Sequence, residues 1–247
     1  MTERDQAPAP PFGFTPIGVV RSPFADKFGI PRQARLAPAA QARVQLLPPY
    51  DREEAFVGLD GFSHVWLLWV FHADCLTAGW QPMVHPPRLG GRVKVGVFAS
   101  RAPYRPNPLG ISALPHQGLV RERDGLFLRV SGVDVLDGTP VLDIKPYVPY
   151  ADAIPQARGG FASPPASPLT VKFSPQAEAQ LNAAASLQLR ALIVQIISQD
   201  PRPGYLHRYP ERSEFGLRLH GYNVRWRIDH HLAEVIAVDA YSDCGAP

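Results

Sequence analysis

Apolar and polar residues alternate along the first 150 residues of this chain with the period of β-strands. Short runs of β-branched and aromatic residues are separated by clusters of Gly, Pro and Asp, and apolar residues at helical spacing are almost absent there. An antiparallel barrel or sandwich is therefore favoured over alternating βαβ units. The runs that predict strands are residues 14–21, 42–47, 63–72, 92–99, 126–133 and 139–147.

The most apolar run, residues 62–72, predicts a central strand. Alternation places Trp66 and Trp69 on opposite faces, both of them apolar, so both faces are expected to be buried. His64 and His72 then lie near the two ends, about 26 Å apart at ~3.3 Å per residue, too far to share one metal ion. We predict no metal site, a structural role for His64 and a ligand contact for His72.

The last third of the chain predicts a small α+β unit. Ser174 and Pro175 form an N-cap and first-turn pair, and apolar residues at helical spacing up to Ile197 predict one helix that stops before Asp200 and Pro201. The segments that predict a meander after this helix are residues 215–220, 224–228 and 234–238.

Residues 158–168, rich in Gly, Ser and Pro, predict a linker between two domains. The predicted organisation is a disordered tail at 1–13, a mainly β domain at 14–157 and the α+β domain at 169–247. No internal repeat is found.

Composition places the chain among globular proteins of a reducing compartment. Its 247 residues are 45% hydrophobic and carry a formal net charge of +3, which fits a polyanionic partner without requiring one. The two cysteines, Cys75 and Cys244, are too far apart in sequence to suggest a disulfide framework. The polar, proline-rich start does not resemble a signal peptide, and no apolar run reaches membrane-spanning length, so we expect a cytoplasmic protein without a membrane association.

The common catalytic motifs do not occur in this sequence. It has no Gly-x-Gly-x-x-Gly between a strand and a helix and no Gly-x4-Gly-Lys-Ser/Thr loop, which leaves ordinary dinucleotide and triphosphate sites unsupported. Gly-x-Ser-x-Gly and His-Glu-x-x-His are absent as well. An enzyme with this sequence would use a less common scaffold.

The segment 89–110 joins a short β-like run to a basic, proline-rich loop. Each proline fixes its own φ and biases the preceding residue toward extended geometry, so Arg101, Arg105 and Asn107 would be held on a stiff frame. Such a frame suits the recognition of an anionic or carboxylate-bearing ligand. The alternative is a surface turn with solvated arginines.

Ten short motifs carry a family resemblance. In chain order they are residues 28–33, 61–64, 71–72, 86–91, 96–101, 105–110, 137–140, 143–147, 200–203 and 223–226. With them the chain closely resembles the TsaA-like family of S-adenosylmethionine-dependent tRNA methyltransferases, from about Phe14 to about Val238. The resemblance implies a single-sheeted antiparallel β-barrel that binds the methyl donor, a small C-terminal domain, a homodimer, and methylation of N6 of threonylcarbamoyladenosine next to the anticodon of threonine tRNA.

The resemblance also implies which positions hold the donor. They are Pro31, Arg32, Gln33, His72, Ala73, Arg101, Ile111, Asp137, Gly138, Thr139 and Pro140. Arg32 or Arg101 would pair with the methionine carboxylate, and the backbone at Asp137 and Gly138 would hydrogen-bond the adenine edge. The Asp-Gly pair also fits a hairpin turn, and the two interpretations are compatible.

One departure from the family pattern concerns the donor loop. Many relatives continue the Pro-Arg-Gln motif with proline or serine and then glycine, whereas this chain has Ala34 and Arg35. The core triplet is kept, but the shape of the loop after it is left open.

The expected reaction requires alignment more than activation, because the sulfonium of the donor is already reactive. N6 of the modified adenosine belongs to a urea and must lose a proton, for which a carboxylate or a water is a suitable acceptor. Asp137 and Asp143 are the candidates. For tRNA contacts the candidates are Arg202, Tyr205 and Arg225, although the same residues also fit a helix end and an ordinary hairpin.

Two alternatives to this function stay open from the sequence. One is a methyltransferase of the same fold that acts on another RNA or on a small molecule. The other is a non-catalytic module that binds the donor or RNA, since no residue of the sequence is required to be catalytic.

Overall fold

A computed structural model describes residues 13–72, 79–163, 167–184, 186–202 and 213–241, and the statements below concern these residues. Six strands form one closed antiparallel sheet in the order β1-β2-β7-β6-β3-β8, with β8 pairing back onto β1. The strands are β1 (Gly18–Arg21), β2 (Gln41–Leu46), β3 (His64–Val70), β6 (Leu109–Glu122), β7 (Gly125–Ser131) and β8 (Pro140–Pro146). The mainly β prediction is confirmed.

β3 is central, as the alternation predicts. It lies between β6 and β8, and its side chains alternate between half-buried and buried along the whole strand. Val65, Leu67 and Trp69 point into the barrel and are almost inaccessible to solvent. On the outer face, Trp66 donates its indole N–H to Asp152 Oδ2 at 2.9 Å. This hydrogen bond satisfies the polar atom of the half-buried indole ring.

The longest strand, β6, was not among the predicted strands. Its first half pairs with β3 and its second half with β7, and a bulge between His116 and Leu119 joins the halves. Pro115 and Gly118 weaken the strand signal in the sequence, because proline lacks a ladder donor and glycine is disfavoured inside strands. In the structure Gly118 has a φ of +77° and lies within the bulge. The bulge accommodates Gly118, whereas Pro115, just before the bulge, keeps its pairing with His64.

The predicted strand over residues 92–99 is wrong for most of its length. Only Val95–Gly96 (β5) is extended, and it pairs with Met83–Val84 (β4) in an isolated two-stranded ribbon. Val97–Ala99 turns into a 3₁₀ helix. Only two residues of each strand pair in this ribbon, so the residues on either side have no hydrogen-bonding partner strand. The apolar alternation over residues 92–99 was therefore not sufficient to form a longer strand.

The C-terminal part is an α+β unit. β10 (Glu214–Leu219), β11 (Tyr222–Asp229) and β12 (Leu232–Ala240) form the predicted meander, and β9 (Thr170–Phe173) adds a parallel strand that was not predicted. Pro149–Asp152 (α1) is a single turn that follows β8.

Two helices replace the one that was predicted. They are Pro175–Ala183 (α2) and Leu187–Ser198 (α3). The predicted N-cap is confirmed, because Ser174 Oγ accepts the Ala177 N–H at 3.2 Å. A second N-cap, Ser186, accepts the Leu189 N–H at 3.1 Å and starts α3. The serine that precedes the apolar face of α3 is thus a helix N-cap, and it lies in the middle of the single helix that the sequence predicted.

The C-terminal unit packs against the connection between β1 and β2. Gln195 Oε1 on α3 accepts the Ala39 N–H at 2.8 Å, and Gln199 Nε2 donates to the Leu36 carbonyl at 3.1 Å. Buried apolar side chains of the barrel and of the C-terminal unit form one continuous cluster. The predicted donor loop at residues 31–35 thus belongs to a connection that is anchored by β1 and β2 at its ends and by α3 through Leu36 and Ala39. No helix in the described ranges is long and apolar enough to cross a membrane.

Candidate functional site

The strand directions bring most of the predicted donor residues to one end of the barrel. All neighbouring strands are antiparallel, so β1, β3 and β7 end where β2, β6 and β8 begin. We call this end the upper rim. Its connections are residues 22–40, 71–108 and 132–139. They carry Pro31, Arg32, Gln33, His72, Arg101, Asp137, Gly138 and Thr139, with Pro140 opening β8 and Ile111 near the start of β6.

Arg101 and Gln33 meet across two of these connections. The Arg101 guanidinium donates to Gln33 Oε1 in a short hydrogen bond, and its side chain is exposed. Pro31 is buried, whereas Arg32 is exposed and reaches the Arg202 carbonyl with Nη2 at 3.4 Å. A guanidinium has five N–H donors and Gln33 uses one of them, so Arg101 retains donors for a carboxylate.

His72 lies beside the connection that leads into β8. Thr139 Oγ1 is 3.4 Å from His72 Nδ1 and donates to the Leu136 carbonyl at 2.6 Å. Gly138 has a φ of +78°, and a Cβ added there would lie 3.8 Å from His72 Nε2. His72, Gly138 and Thr139 therefore form one contact group. The neighbouring position of the predicted set, Ala73, lies outside the described residues.

Asp137 and Gly138 hold the end of β1. The Asp137 and Gly138 N–H groups donate to the carbonyls of Phe24 and Val20, and Asp137 Oδ1 accepts the Ser22 N–H at 2.8 Å. The pair forms a turn, but not the predicted hairpin, because β7 and β8 are not neighbours in the sheet. Both backbone donors are used within the fold, so a contact with an adenine edge would fall to other groups of this turn.

Asp134 lies among the predicted donor residues, although no sequence motif pointed to it. The half-buried carboxylate accepts the Ser112 hydroxyl at 2.6 Å, and Ser112 Oγ accepts the Trp69 indole N–H at 3.0 Å. Asp134 is also hydrogen-bonded by the Ala34 backbone and attracted by the charge of Arg101. It therefore connects β3, β6, the donor loop and the loop that carries Arg101.

Burial raises the pKa of Asp134 above its ordinary value. Its hydrogen bonds with Ser112 and with the backbone, and the charge of Arg101, act in the opposite direction and are the smaller effects. Ionisation of this half-buried carboxylate destabilises the folded protein. Carboxyl groups with a raised pKa are frequent in functional sites.

Gly110 and Arg35 show how closely the upper rim is packed. A Cβ at Gly110 would come within 2.3 Å of the Trp69 ring, so only glycine lets the indole reach Ser112. Arg35 has a φ of +68° and donates its N–H to the Gly132 carbonyl at 2.7 Å. This left-handed geometry is the one that glycine adopts most readily, and the hydrogen bond to Gly132 holds Arg35 in it.

Arg105 is held by the fold. Its guanidinium donates to the carbonyls of Val97 and Ser100 at 3.0 and 2.8 Å, and it braces the proline-rich loop. Asn107 is exposed at the tip of this loop. Of the three polar residues on the predicted stiff frame, Arg101 is the one that turns toward the donor loop.

Asp143 lies apart from the upper rim. Its carboxylate is 2.8 Å from Lys145 Nζ and accepts the Ile144 N–H. Together with residues 55–59 it lines a groove of about 600 Å³ at the opposite end of the barrel. The two carboxylates proposed as proton acceptors are therefore not brought together.

The predicted tRNA-contacting cations of the C-terminal unit form ion pairs. Arg202 binds both carboxylate oxygens of Asp200 at 2.7 Å, and its side chain is only 12% exposed. Arg225 Nε lies 3.7 Å from Asp239 Oδ2, with both side chains about half exposed. Tyr205 lies outside the described residues. Within the described ranges no group of three or more His, Cys, Asp or Glu side chains is arranged to hold a metal ion.

Comparison with protein families identifies the chain. The N-terminal domain of tRNA-methyltransferase O matches residues 19–153, and the C-terminal domain of TrmO matches residues 166–241. The tRNA (adenine(37)-N6)-methyltransferase of Escherichia coli K12 is 42% identical over 231 residues, which cover 92% of this chain and 98% of that protein. A Pseudomonas aeruginosa protein, provisionally named S-adenosylmethionine-dependent methyltransferase RcsF, is 49% identical over 216 residues, 86% of this chain and 90% of that protein.

Solved structures agree with these relatives. Two crystal structures of TrmO from Pseudomonas aeruginosa match with TM-scores of 0.77 and 0.74, each at 42% identity. They cover 94% and 92% of this chain, and 99% and 98% of the matched chains. The resemblance inferred from the ten motifs is confirmed. The chain belongs to the tRNA-methyltransferase O family.

Proposed function

We propose that this protein transfers a methyl group from S-adenosylmethionine to N6 of threonylcarbamoyladenosine at position 37 of tRNA, with threonine tRNA as the expected substrate. The observation that carries the proposal is the gathering of the predicted donor residues at the upper rim, from connections far apart in sequence. Family membership supports the same activity, since the Escherichia coli relative is a tRNA (adenine(37)-N6)-methyltransferase.

The residues at the upper rim suit S-adenosylmethionine. Arg101 retains N–H donors for a carboxylate, and Arg32 is a second exposed cation on the same rim. The group of His72, Gly138 and Thr139 and the exposed apolar side chain of Ile111 provide polar and apolar contacts. When bound, the donor supplies an electrophilic methyl carbon on a sulfonium sulfur.

The protein's own contribution is orientation and proton removal. Transfer breaks the bond between sulfur and the methyl carbon, forms the bond from that carbon to N6, and leaves S-adenosylhomocysteine. The proton of N6 passes to a carboxylate or to water. Asp137 is the candidate at the upper rim, because its Oδ1 is fixed by the Ser22 N–H; Asp143 faces the other end of the barrel.

Three further properties belong to this proposal. We propose a barrel domain at residues 14–157, a linker at 158–168 and an α+β domain at 169–247, which is supported by the two family matches over separate ranges. A homodimer is supported by the family resemblance of the motifs. A tRNA-modifying activity is expected in the cytoplasm, where tRNA substrates are found.

Nucleoside mass spectrometry of total tRNA from cells with and without the protein tests the function. We expect methylated threonylcarbamoyladenosine to disappear in cells that lack the protein and to return with the wild-type gene. Loss of a methyl group from a different nucleoside would support the alternative RNA substrate. Unchanged nucleosides, from a protein that still binds the donor, would support a non-catalytic module and contradict the proposal.

A further inference from the structure

A long stretch of the barrel half contains cations and no acids. The chain has 22 Asp and Glu, yet none lies between Asp74 and Glu122. The same stretch contains Arg88, Arg92, Lys94, Arg101, Arg105 and Arg121. Arg121, at the end of this stretch, pairs with Glu53 at the opposite end of the barrel. The part of the stretch that belongs to the upper rim, residues 79–108, carries positive side chains and no acidic ones, unlike the ion-paired cations of the C-terminal unit.

Three of these cations are free to meet a partner. Arg88, Arg92 and Lys94 are exposed in and around the β4–β5 ribbon. In the described part of the chain, none of the three forms a hydrogen bond or an ion pair. By contrast, Arg202 is bound by Asp200 and largely covered.

Two aromatic side chains stand on the same segment. Trp80 is 55% exposed and Phe98 is 73% exposed. The Arg105 guanidinium lies over the Phe98 ring, 5.6 Å from its centroid, a cation–π contact with one face of the ring. An exposed ring offers a face on which an unpaired base can stack.

The ribbon is fixed to the loop that carries Arg101. The Gln81 N–H donates to the Tyr104 carbonyl at 3.1 Å, and the Val97 N–H donates to the Pro82 carbonyl at 2.9 Å. The exposed cations and rings are therefore continuous with the upper rim, where the donor is proposed to bind. A partner lying on this surface would therefore lie beside the rim at which the donor is proposed to bind.

We propose that the β4–β5 ribbon and its flanks, residues 80–98, form the surface that binds the single-stranded anticodon loop of tRNA. Arg88, Arg92 and Lys94 would contact phosphates, and Trp80 and Phe98 would stack on unpaired bases. Stacking on exposed rings combined with cations along a backbone is how proteins hold single-stranded nucleic acid. The inference rests on the proposed function and places its RNA contact on the barrel half.

A second copy of the chain is disfavoured as the occupant of this surface. A two-fold interface sets each patch against itself, so the cations of one copy would face the same cations of the other. No acidic residue in the segment is available to compensate them. A polyanion has the complementary charge.

The test compares two triple variants with equal charge change. Arg88→Gln/Arg92→Gln/Lys94→Gln removes the exposed cations of the ribbon, and Arg52→Gln/Arg121→Gln/Arg123→Gln removes three at the opposite end of the barrel. We expect the first to raise the KM for tRNA at least tenfold and leave the dissociation constant for S-adenosylmethionine within twofold. The slope of log binding constant against log salt should become shallower by about 2, since ~0.7 counterions are released per phosphate contact.

The aromatic pair provides an independent arm. Trp80→Ala/Phe98→Ala should weaken binding of an anticodon stem-loop oligonucleotide about tenfold, with little effect on salt dependence. If wild type methylates tRNA and the ribbon variants keep its KM and salt slope, the inference is wrong while the proposed function stands. A changed sedimentation coefficient with unchanged RNA affinity would identify a protein interface and also overturn it. If wild type binds the donor but does not methylate tRNA, the proposed function fails first.

Discussion

Asp134 connects more parts of the candidate site than any residue named from the sequence motifs. It accepts the Ser112 hydroxyl, is hydrogen-bonded by the Ala34 backbone and lies in the field of Arg101. Its signal in the sequence is weak, because an aspartate after an apolar strand usually begins a turn. The hydrogen bond from Ser112 brings together residues 22 positions apart, and only the sheet order makes that contact visible.

Asp134→Asn should separate function from stability. The folded pKa of Asp134 is raised, so its favourable contribution is present below the unfolded pKa, near 3.8, and is lost as pH rises through the folded value. The melting temperature of the variant relative to wild type should therefore increase from pH 4 to pH 7. Affinity for S-adenosylmethionine should fall about tenfold, because an amide cannot accept all of these hydrogen bonds.

Calorimetry with two ligands checks the cause of that loss. If Asp134 acts by positioning the donor loop and Arg101, affinities for S-adenosylmethionine and for its product S-adenosylhomocysteine, whose sulfur is uncharged, fall equally. A loss confined to the sulfonium ligand would instead mean direct contact with its positive charge. Wild-type affinity for both ligands would rule out the positioning role.

Gly110→Ala should destabilise the barrel by about 2 kcal/mol or more, because the new Cβ overlaps the buried Trp69 ring. Displacement of Trp69 also breaks its hydrogen bond with Ser112. The matched control is Gly96→Ala, where an added Cβ has open space around it. Urea unfolding of both variants gives the comparison, and equal midpoints would show that the tight packing at Gly110 does not matter for stability.

At the scale of elements, the proline-rich loop positions Arg101 while Arg105 braces the loop from within. Arg101→Ala should therefore weaken binding of S-adenosylmethionine about tenfold or more, as expected for a lost charge-assisted contact of roughly 1.5–3 kcal/mol. Arg121→Ala is the control, because Arg121 pairs with Glu53 on an exposed surface at the other end of the barrel. Titration calorimetry measures both variants. Equal dissociation constants would remove Arg101 from the donor site.

The regular elements were predictable where one residue pattern continued without interruption. β3 follows its alternation over its whole length, and the β10–β12 meander lies within a few residues of its prediction. β6 was missed because Pro115 and Gly118 interrupt its alternation, and because its two halves pair with two different neighbouring strands. The break between α2 and α3 was missed because only one residue, the N-cap Ser186, marks it in the sequence.

At the scale of the molecule, the sheet order brings the predicted donor residues to one rim of the barrel. β7 and β8 are consecutive in sequence but not neighbours, and the connection between them crosses the upper rim beside the donor loop. No periodicity in the sequence encodes that order, whereas the family resemblance identified the positions that it brings together. Sequence motifs thus predicted the members of the candidate site, while the contacts through Asp134 needed the fold.

Methyl transfer by the purified protein tests the central claim most directly. The protein is incubated with S-adenosylmethionine and with tRNA that either carries or lacks threonylcarbamoyladenosine at position 37, and the nucleosides are measured by mass spectrometry. We expect N6-methylated threonylcarbamoyladenosine from the modified tRNA alone, with a large loss of rate for Arg101→Ala. Folded protein that binds the donor and leaves the modified tRNA unmethylated would contradict the function assigned to the upper rim.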